Sequence, residues 1–279
     1  LVGSEMCIRD RATSNICTAQ ALLAIMAGFY SLYHGKEGLI EIATKVNNLT
    51  CILKKNLEIN NIDCLESDFF DTLVIQSNEH TEAIHKRSIK GNFNLRKINS
   101  DLIGISIDES TSLGDIEHIL EIFLDRKIDL NYDINPSIPE NLNRRTSFLD
   151  HDVFQRYRTE TELVRYIRKL SDKDIALDRA MIPLGSCTMK LNATSEMIPV
   201  SWPEFSSIHP FAPKDQLEGY AELIKEMEKM LADLTGYSKI SLQPNAGSQG
   251  EYAGLLAIDA FHKKNNESNR NLSLIHISE

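Results

Sequence analysis

The sequence predicts a mixed α/β protein in which helical segments flank a smaller α+β module. Apolar residues recur at helical spacing over residues 16–30 and again over residues 39–53. From about residue 58 to residue 124, short strand-like and helix-like segments alternate instead. Later in the chain, an apolar run at residues 240–242 leads through a glycine-containing turn into a helix-like segment at residues 251–262.

The two segments with apolar residues at helical spacing, each of which forms an apolar stripe along one helix face, are predicted to form separate helices. Gly35 follows the first stripe as a stop signal, because glycine ends helices readily. Thr13, Ser14 or Asn15 is a suitable N-terminal cap for the first helix. Both stripes have the width expected of a face that packs on a core, so we assign them no functional role.

The module that follows has the length of a small α+β domain. Its predicted order is a strand, a helix, one or two strands and a capped helix. These elements are expected at Phe69–Ile75, Thr81–Ile89, Asn94–Asp108 and from Thr111 or Ser112 to Leu124.

The region after the module begins with a predicted linker. Residues 127–143 are rich in Asn, Asp and Pro and show little periodicity. Thr159 and Glu162 have the spacing of a capping box that opens another helix. A longer amphipathic helix is predicted at residues 220–234, with Gly236 as its stop signal.

An aromatic and proline-rich loop precedes that amphipathic helix. Trp202, Phe205 and Phe211 give it a large apolar area, while its prolines resist regular structure. We therefore expect the loop to be packed down against the rest of the protein.

Composition excludes several classes of function. The 40 acidic residues exceed the 30 Lys and Arg residues, which gives a net charge of −10 and no clustered basic stripe. This balance argues against nucleic acids and anionic membranes as partners. No apolar run approaches the length of a membrane-spanning helix.

The cysteines indicate a reduced protein without a structural metal. The count is five, and no pair has C-x-x-C or other metal-type spacing. An odd count without a framework is typical of an intracellular chain rather than a disulfide scaffold. No bound metal is predicted.

The turn between residues 242 and 252 is the strongest candidate site in the bare residues. Gly247 and Gly250 allow close approach of a ligand to the backbone, and Ser248 and Gln249 add polar side chains. A helix that starts at such a turn presents N–H groups to an anion such as phosphate. The spacing matches neither the dinucleotide fingerprint nor the P-loop, so a plain turn remains the alternative.

Five motifs in sequence order make the chain similar to a known family. They closely resemble the P-protein of the glycine cleavage system, the pyridoxal-phosphate-dependent glycine dehydrogenase (decarboxylating), and the resemblance extends over about residues 11–271. The motifs lie at Ala12–Gln20, Pro183–Asn192, Trp202–Phe205, His209–Phe211 and Gln243–Tyr252.

The resemblance implies a partial type I pyridoxal-phosphate enzyme, with the aminotransferase-like α/β fold and a small α+β domain. The family's chain has two related halves, and this sequence is expected to cross their junction. Residues 1–11 and 272–279 do not resemble the family and are expected to be non-native. The expected parts between them are the end of the first large domain with crossover helices (12–57), the small domain (58–126), a linker and lead-in helix (127–178) and the start of the second, catalytic half (179–271).

The resemblance also implies a site. Ala246, Gly247, Ser248 and Gln249 are expected to hold the phosphate of the cofactor; the family usually has Ala where Ser248 stands. Candidates for the substrate pocket come from three motifs. They are Ser186, Cys187, Lys190, Asn192, His209 and Glu251.

The implied reaction is the decarboxylation of glycine on pyridoxal phosphate, with transfer of the aminomethyl group to the lipoyl group of the H-protein. The family's Schiff-base lysine lies in a His-Lys motif downstream of the phosphate loop, so the resemblance implies no catalytic lysine within this chain and an inactive fragment. Lys190 is not expected to replace that lysine, because it precedes the phosphate loop.

Two alternatives remain open. One is another type I pyridoxal-phosphate lyase or transaminase, and the other is a non-catalytic partner subunit of the same system. A homodimer or a pseudo-dimer is implied for the full-length protein. A bacterial cytoplasm is the favoured location, with the mitochondrial matrix as the eukaryotic equivalent.

Overall fold

The computed structural model of the chain describes residues 19–134, 137–173, 193–245 and 247–270. Contacts divide the chain into two units, one of which is Ala27–Asp172. The other contains the residues before and after that range.

Helix α1 spans Ala19–Ile59 and changes direction at Gly35. Gly35 has φ 60° and ψ −169°, a backbone conformation that is open to glycine and strained for other residues. The prediction of two helices separated at Gly35 is therefore confirmed, although the two segments follow each other without a loop.

Three strands form an antiparallel sheet in the order β1–β3–β2. Strand β1 is Thr72–Gln76, β2 is Arg96–Lys97 and β3 is Leu102–Ser106. β3 pairs with both neighbours in antiparallel register, so β1 and β2 run parallel to each other on either side of it. The alternating pattern of the sequence predicted these strands, and the structure confirms them.

Two further helices complete this module. Helix α2 spans Thr81–Lys90, and helix α3 spans Leu113–Leu124. Ser112 caps α3: its side chain accepts from the Asp115 amide, and the Asp115 carboxylate accepts from the Ser112 amide. Of the two predicted caps, Ser112 is therefore the one that forms the capping box.

The hydrophobic core lies between the sheet and the helices. Burial of these apolar side chains is the main source of stability of the unit, at about 1.5–3 kcal/mol for each large aliphatic residue. The second segment of α1, strands β1 and β3, and helices α2 and α3 all contribute side chains to it. Its fully buried members are Leu53, Leu57, Leu73, Ile75, Ile103, Ile116 and Leu120.

The segment after α3 has little regular structure, as its composition predicts. A short 3₁₀ turn covers Glu140–Leu142, and helix α4 covers Val153–Arg156. Helix α5 spans Glu160–Ser171 and starts at the predicted cap, where the Thr159 hydroxyl accepts from the Glu162 amide at 3.3 Å.

The second unit is helical in its described part. Its longest helices are α8, Glu218–Thr235, and α9, Gly247–Lys264. Two shorter helices precede them, α6 at Thr194–Met197 and α7 at Pro203–Ser206. α8 ends at Gly236, which has the left-handed conformation (φ 75°) expected of a glycine stop.

The strand predicted at residues 240–242 is not formed, so this prediction is wrong. A strand needs a neighbour to satisfy its N–H and C=O groups, and the described residues of this unit supply none. Leu242, Leu255 and Leu256 are each at least 39% exposed as a result. Within the described ranges, no helix is long and apolar enough to cross a membrane.

Candidate functional site

The candidate site is the start of helix α9. The helix begins at Gly247, four residues before the segment whose spacing predicted it. Residues 241–245 approach it without regular secondary structure. The sequence Gly-Ser-Gln-Gly therefore forms the first helical turn rather than a loop in front of the helix.

A side-chain hydrogen bond ties the approach segment to the helix. The Asn245 amide donates to Oε1 of Gln249 at 2.7 Å. The Gln249 side chain thus reaches back over the helix start, as the third residue of a capping box does. Its amide nitrogen keeps its two hydrogens for another acceptor.

The first turn is suited to an anion. Its leading amides, those of Gly247, Ser248 and Gln249, point along the axis without partners inside the helix. The first turn holds no acidic residue, and the helix dipole places positive charge there. A Cβ atom built at Gly247 or at Gly250 would have no heavy atom within 4 Å. Among the described residues, nothing therefore occupies the space beside these two glycines.

Glu251 follows this turn and is exposed. Its carboxylate would repel an anion that came close to it, so Glu251 fits the margin of an anion site better than its centre. It lies on the same helix as the three phosphate-loop candidates that the structure describes.

His209 lies in the aromatic loop before α8. Its Nδ1 accepts from the Phe211 amide at 3.0 Å, which fixes the turn at His209–Phe211. Among the described residues, no contact joins His209 to the first turn of α9. The structure therefore leaves these two predicted parts of the site on separate segments.

The expectation that the aromatic loop is packed down is correct for one residue and wrong for others. Phe205 contacts the Tyr220 ring edge to face at 5.5 Å, and its carbonyl accepts from the Tyr220 hydroxyl at 2.8 Å. Trp202 is 48% exposed and Phe211 is 91% exposed. α8 offers Tyr220 as a partner for the Phe205 ring, whereas the Phe211 ring has only the neighbouring His209 ring, 5.8 Å away, as an aromatic partner among the described residues.

The remaining predicted site residues lie outside the described residues. They are Ala246, Ser186, Cys187, Lys190 and Asn192.

The far end of α9 holds a cluster of polar side chains that the sequence pattern did not indicate. His262 Nδ1 lies 2.8 Å from Glu267 Oε2, and the Arg270 guanidinium approaches the same oxygen at 3.3 Å. The hydrogen bond with His262, supported by Arg270, lowers the pKa of Glu267. Histidine and glutamate five residues apart form no standard helical pair, so their contact depends on the chain turning back after the helix.

Within the described ranges, no group of three His, Cys, Asp or Glu side chains is arranged to hold a metal ion. The chemistry that this site offers is therefore anion binding by backbone N–H groups at a helix start, aided by one hydroxyl and one amide.

Comparison with known proteins gives this geometry a context. Residues 5–123 match the family described as Glycine cleavage system P-protein. A glycine dehydrogenase (decarboxylating) of Paraburkholderia xenovorans is 50% identical over 279 residues, covering 96% of this chain. The chain belongs to the glycine cleavage system P-protein family.

Two other relatives agree. The glycine dehydrogenases (decarboxylating) of Photobacterium profundum and Cupriavidus metallidurans are 49% and 52% identical, each over 96% of this chain. The chain spans 28% of the length of each of these three relatives. The family is pyridoxal-phosphate-dependent, which makes a phosphate the relevant anion to test against the α9 start.

Proposed function

We propose that this chain is part of a glycine dehydrogenase (decarboxylating) that acts in a bacterial cytoplasm. Identity of about 50% to three bacterial enzymes of that name, over nearly the whole chain, supports the proposal. In this reading the enzyme decarboxylates glycine and transfers the remaining aminomethyl group to the lipoyl group of the H-protein.

The proposed fold is the aminotransferase-like fold of type I pyridoxal-phosphate enzymes. The β1–β3–β2 sheet with α2 and α3 would form the small domain of a first half, at residues 58–126. Residues 179–271, with α8 and α9, would begin the large domain of a second half. A homodimer or a pseudo-dimer of the two halves would complete the protein.

The proposed phosphate site is the first turn of α9. The proposal depends on one observation, that this turn starts a helix and holds no acidic residue. The amides of Gly247, Ser248 and Gln249 are the donors, with the Ser248 hydroxyl beside them. The turn suits a phosphate chemically, because it has amides without partners inside the helix, no acidic side chain, and no described atom within 4 Å of a Cβ built at either glycine. Ala246 precedes these donors and belongs to the same proposed loop.

Pyridoxal phosphate, when bound, supplies an electron sink for the decarboxylation. The residues of this chain anchor and orient it. The helix start compensates the phosphate charge with backbone dipoles, which need no reorganisation when the ligand binds. The Asn245–Gln249 hydrogen bond fixes the turn before binding, so less ordering remains to be done in the complex.

The substrate side of the site is also a proposal. Ser186, Cys187, Lys190 and Asn192 would line the pocket that receives glycine and the lipoyl arm of the H-protein. His209 and Glu251 would lie at its margin. Small polar side chains of this kind can orient a carboxylate such as that of glycine.

Glycine–bicarbonate exchange tests the proposed activity. The protein encoded by the complete reading frame is incubated with pyridoxal phosphate, lipoylated H-protein, glycine and labelled bicarbonate. We expect label in the carboxyl group of glycine. No exchange above the level without H-protein would rule out the proposed reaction.

A charge placed in the first turn tests the site separately. Gly247→Asp puts a carboxylate where the phosphate is proposed to bind, so we expect the pyridoxal phosphate concentration for half-maximal exchange to rise at least about tenfold. Gly219→Asp is the matched control, because Gly219 also lies in the first turn of a helix with no heavy atom near an added Cβ. Equal responses of the two variants would contradict the assigned site.

A further inference from the structure

An open groove crosses the surface of the Ala27–Asp172 unit. One wall is the second segment of α1, from Lys36 to Thr44, and the other is the chain at residues 143–148. The groove has a volume of about 820 Å³, and Leu39, Ile40 and Ala43 form its apolar part. At 1.5 Å per helical residue, the α1 wall is about 12 Å long.

The charges of the groove all have one sign. Lys36, Arg144 and Arg145 line it, and its lining contains no acidic residue. The chain as a whole is acidic, with 40 Asp and Glu against 30 Lys and Arg. None of these three cations forms an ion pair with another described residue. The lining of the groove is therefore a local concentration of positive charge, with Glu37 beside Lys36 as a nearby acidic residue.

An aromatic ring positions two of the cations. Lys36 Nζ lies 5.7 Å from the centre of the Phe148 ring, and the Arg144 guanidinium carbon lies 5.1 Å from it. These cation–π contacts hold both charges near the groove without neutralising them. Lys36 Nζ also donates to the Ser147 hydroxyl at 3.5 Å, and Ser147 in turn donates to Asp150.

The second wall of the groove, at residues 143–148, has backbone groups that are available for hydrogen bonds. Residues 144–148 form no helix or strand, and their N–H and C=O groups make no hydrogen bond to a described residue. Such groups can pair with an extended peptide, as the edge of a sheet does. Extended residues rise about 3.3 Å each, so a wall of about 12 Å accommodates roughly four of them.

We propose that this groove docks an extended acidic segment of a partner protein. Carboxylates of the segment would pair with Arg144, Arg145 and Lys36, and an apolar side chain would lie over Leu39 and Ile40. Arginine suits this role because its planar fork binds carboxylates in pairs of hydrogen bonds. The proposal concerns a surface apart from the α9 helix start and does not depend on that site.

The charge pattern disfavours a second copy of this chain as the occupant. A symmetric dimer places the same patch against itself, so Arg144 and Arg145 would face their own counterparts. With no acidic residue in the lining, that arrangement would be repulsive. An acidic surface on a different protein meets no such penalty.

Fluorescence anisotropy with a labelled peptide tests the proposal on the full 279-residue chain. The probe is Asp-Glu-Phe-Glu-Asp, compared with Asn-Gln-Phe-Gln-Asn, which has the same shape and no charged side chains. We expect the acidic probe to bind at least about tenfold more tightly than the neutral one, and its affinity to fall as salt is raised. Equal binding of the two probes, or no binding of either, would overturn the proposal.

The variant Arg144→Gln/Arg145→Gln locates the binding. It should weaken the acidic probe at least about tenfold, whereas Lys86→Gln/Arg96→Gln, which removes two exposed cations elsewhere in the unit, should change its affinity less than about twofold. An unchanged thermal unfolding curve confirms that the first variant is folded. If the two double variants lost affinity for the acidic probe equally, the binding would reflect general charge attraction, and the assignment to this groove would be overturned. If light scattering showed a dimer of the unaltered chain and a monomer of Arg144→Gln/Arg145→Gln, the groove would bind a second copy of the chain, and the proposal of a partner protein would be overturned.

Discussion

The Arg158 guanidinium lies directly against Gly35, at the point where helix α1 changes direction. A Cβ atom on Gly35 would lie 2.2 Å from Nη2 of Arg158. Nη1 donates to the His34 carbonyl at 3.2 Å, and Nη2 pairs with Glu37 at 2.9 Å. One side chain thus satisfies the end of the first segment of α1 and pairs with the start of the second.

We predict that Gly35→Ala destabilises the Ala27–Asp172 unit. The backbone conformation of Gly35 alone would cost about 1–3 kcal/mol for alanine, and the displaced guanidinium adds to that. In an Arg158→Ala background the same change should cost less, because the space is then vacant. Urea unfolding of the two single variants and the double variant measures this coupling.

Gly28→Ala is the control for that cycle. Gly28 lies in the same helix with no heavy atom within 4 Å of an added Cβ, so alanine there should be neutral or stabilising by up to about 1 kcal/mol. Additive effects of Gly35→Ala and Arg158→Ala would contradict the contact.

A second prediction concerns Asn56, which holds the chain after α3 against α1. Asn56 is only 2% exposed. Its side-chain amide donates to the Ile52 carbonyl at 2.8 Å and to the Asn131 carbonyl at 2.9 Å, and its oxygen accepts from the Asn131 amide at 2.9 Å. The Asn56 side chain thus satisfies both backbone groups of Asn131, as the backbone of a neighbouring strand would in a sheet.

Asn56→Ala should lower the free energy of unfolding by about 2–3 kcal/mol, because it leaves backbone groups of Asn131 without their partner. Asn48→Ala, at an exposed position of the same helix, should change it by less than about 0.5 kcal/mol. Both values come from urea titration. A loss at Asn56 as small as the loss at Asn48 would show that water replaces the amide.

The third prediction is that Cys64 is chemically inert in the folded chain. Burial, with nearby Glu58 as the next contribution, raises the pKa of the Cys64 thiol to about 12. Because thiolate is the reactive form, iodoacetamide at a pH of about 8.5 should modify Cys64 at least about 100-fold more slowly than a peptide of the same sequence. Mass spectrometry of tryptic fragments measures the rate; modification at the rate of the peptide would contradict it.

The same pKa shift has a consequence for stability. The folded state keeps the Cys64 proton to higher pH than the unfolded state, so this contribution is fully present below the ordinary thiol pKa. It is lost as pH rises from about 9 towards about 12. Cys64→Ala should remove that part of the alkaline loss of unfolding free energy.

The sequence predicted what depends on local pattern. The strands, a cap at Thr111 or Ser112 and the Gly35 stop each follow from neighbouring residues. The structure has the strands, Ser112 as the cap and a change of direction at Gly35. The sequence could not show that the Arg158 side chain fills the space beside Gly35, because hydrophobic spacing and capping rules relate only residues close in sequence.

The errors have a related cause. The 240–242 run has the composition of a strand, but a strand exists only if another chain segment pairs with it. Phe211 has the hydrophobicity of a buried residue, but burial needs a surface to pack on. At the candidate site, glycine content and the family motif predicted Gly247, Ser248 and Gln249 as phosphate ligands, which stays a prediction. The hydrogen bond from the Asn245 amide to the Gln249 side chain could be seen only in the structure.

The last prediction separates the hydrogen bond that Gln249 makes to Asn245 from its proposed role in binding phosphate. Gln249→Glu keeps an oxygen that accepts from the Asn245 amide, and it places a negative charge at the positive end of α9. The helix should therefore be as stable as before or more so, by up to about 1 kcal/mol. That charge also repels a phosphate, so binding of pyridoxal phosphate should weaken at least about tenfold.

Gln249→Ala has the opposite effect on the two properties: it removes the hydrogen bond to Asn245 and adds no charge at the helix start. Loss of the acceptor frees the Asn245 amide, so the amides of Asn245, Gly250 and Glu251 should exchange their hydrogens faster, while no charge opposes the phosphate. Hydrogen exchange at these three amides, measured together with pyridoxal phosphate affinity, distinguishes the two variants. If Gln249→Glu bound the cofactor as well as the unaltered chain does, the phosphate would have to lie away from this turn, whatever the stability of the helix.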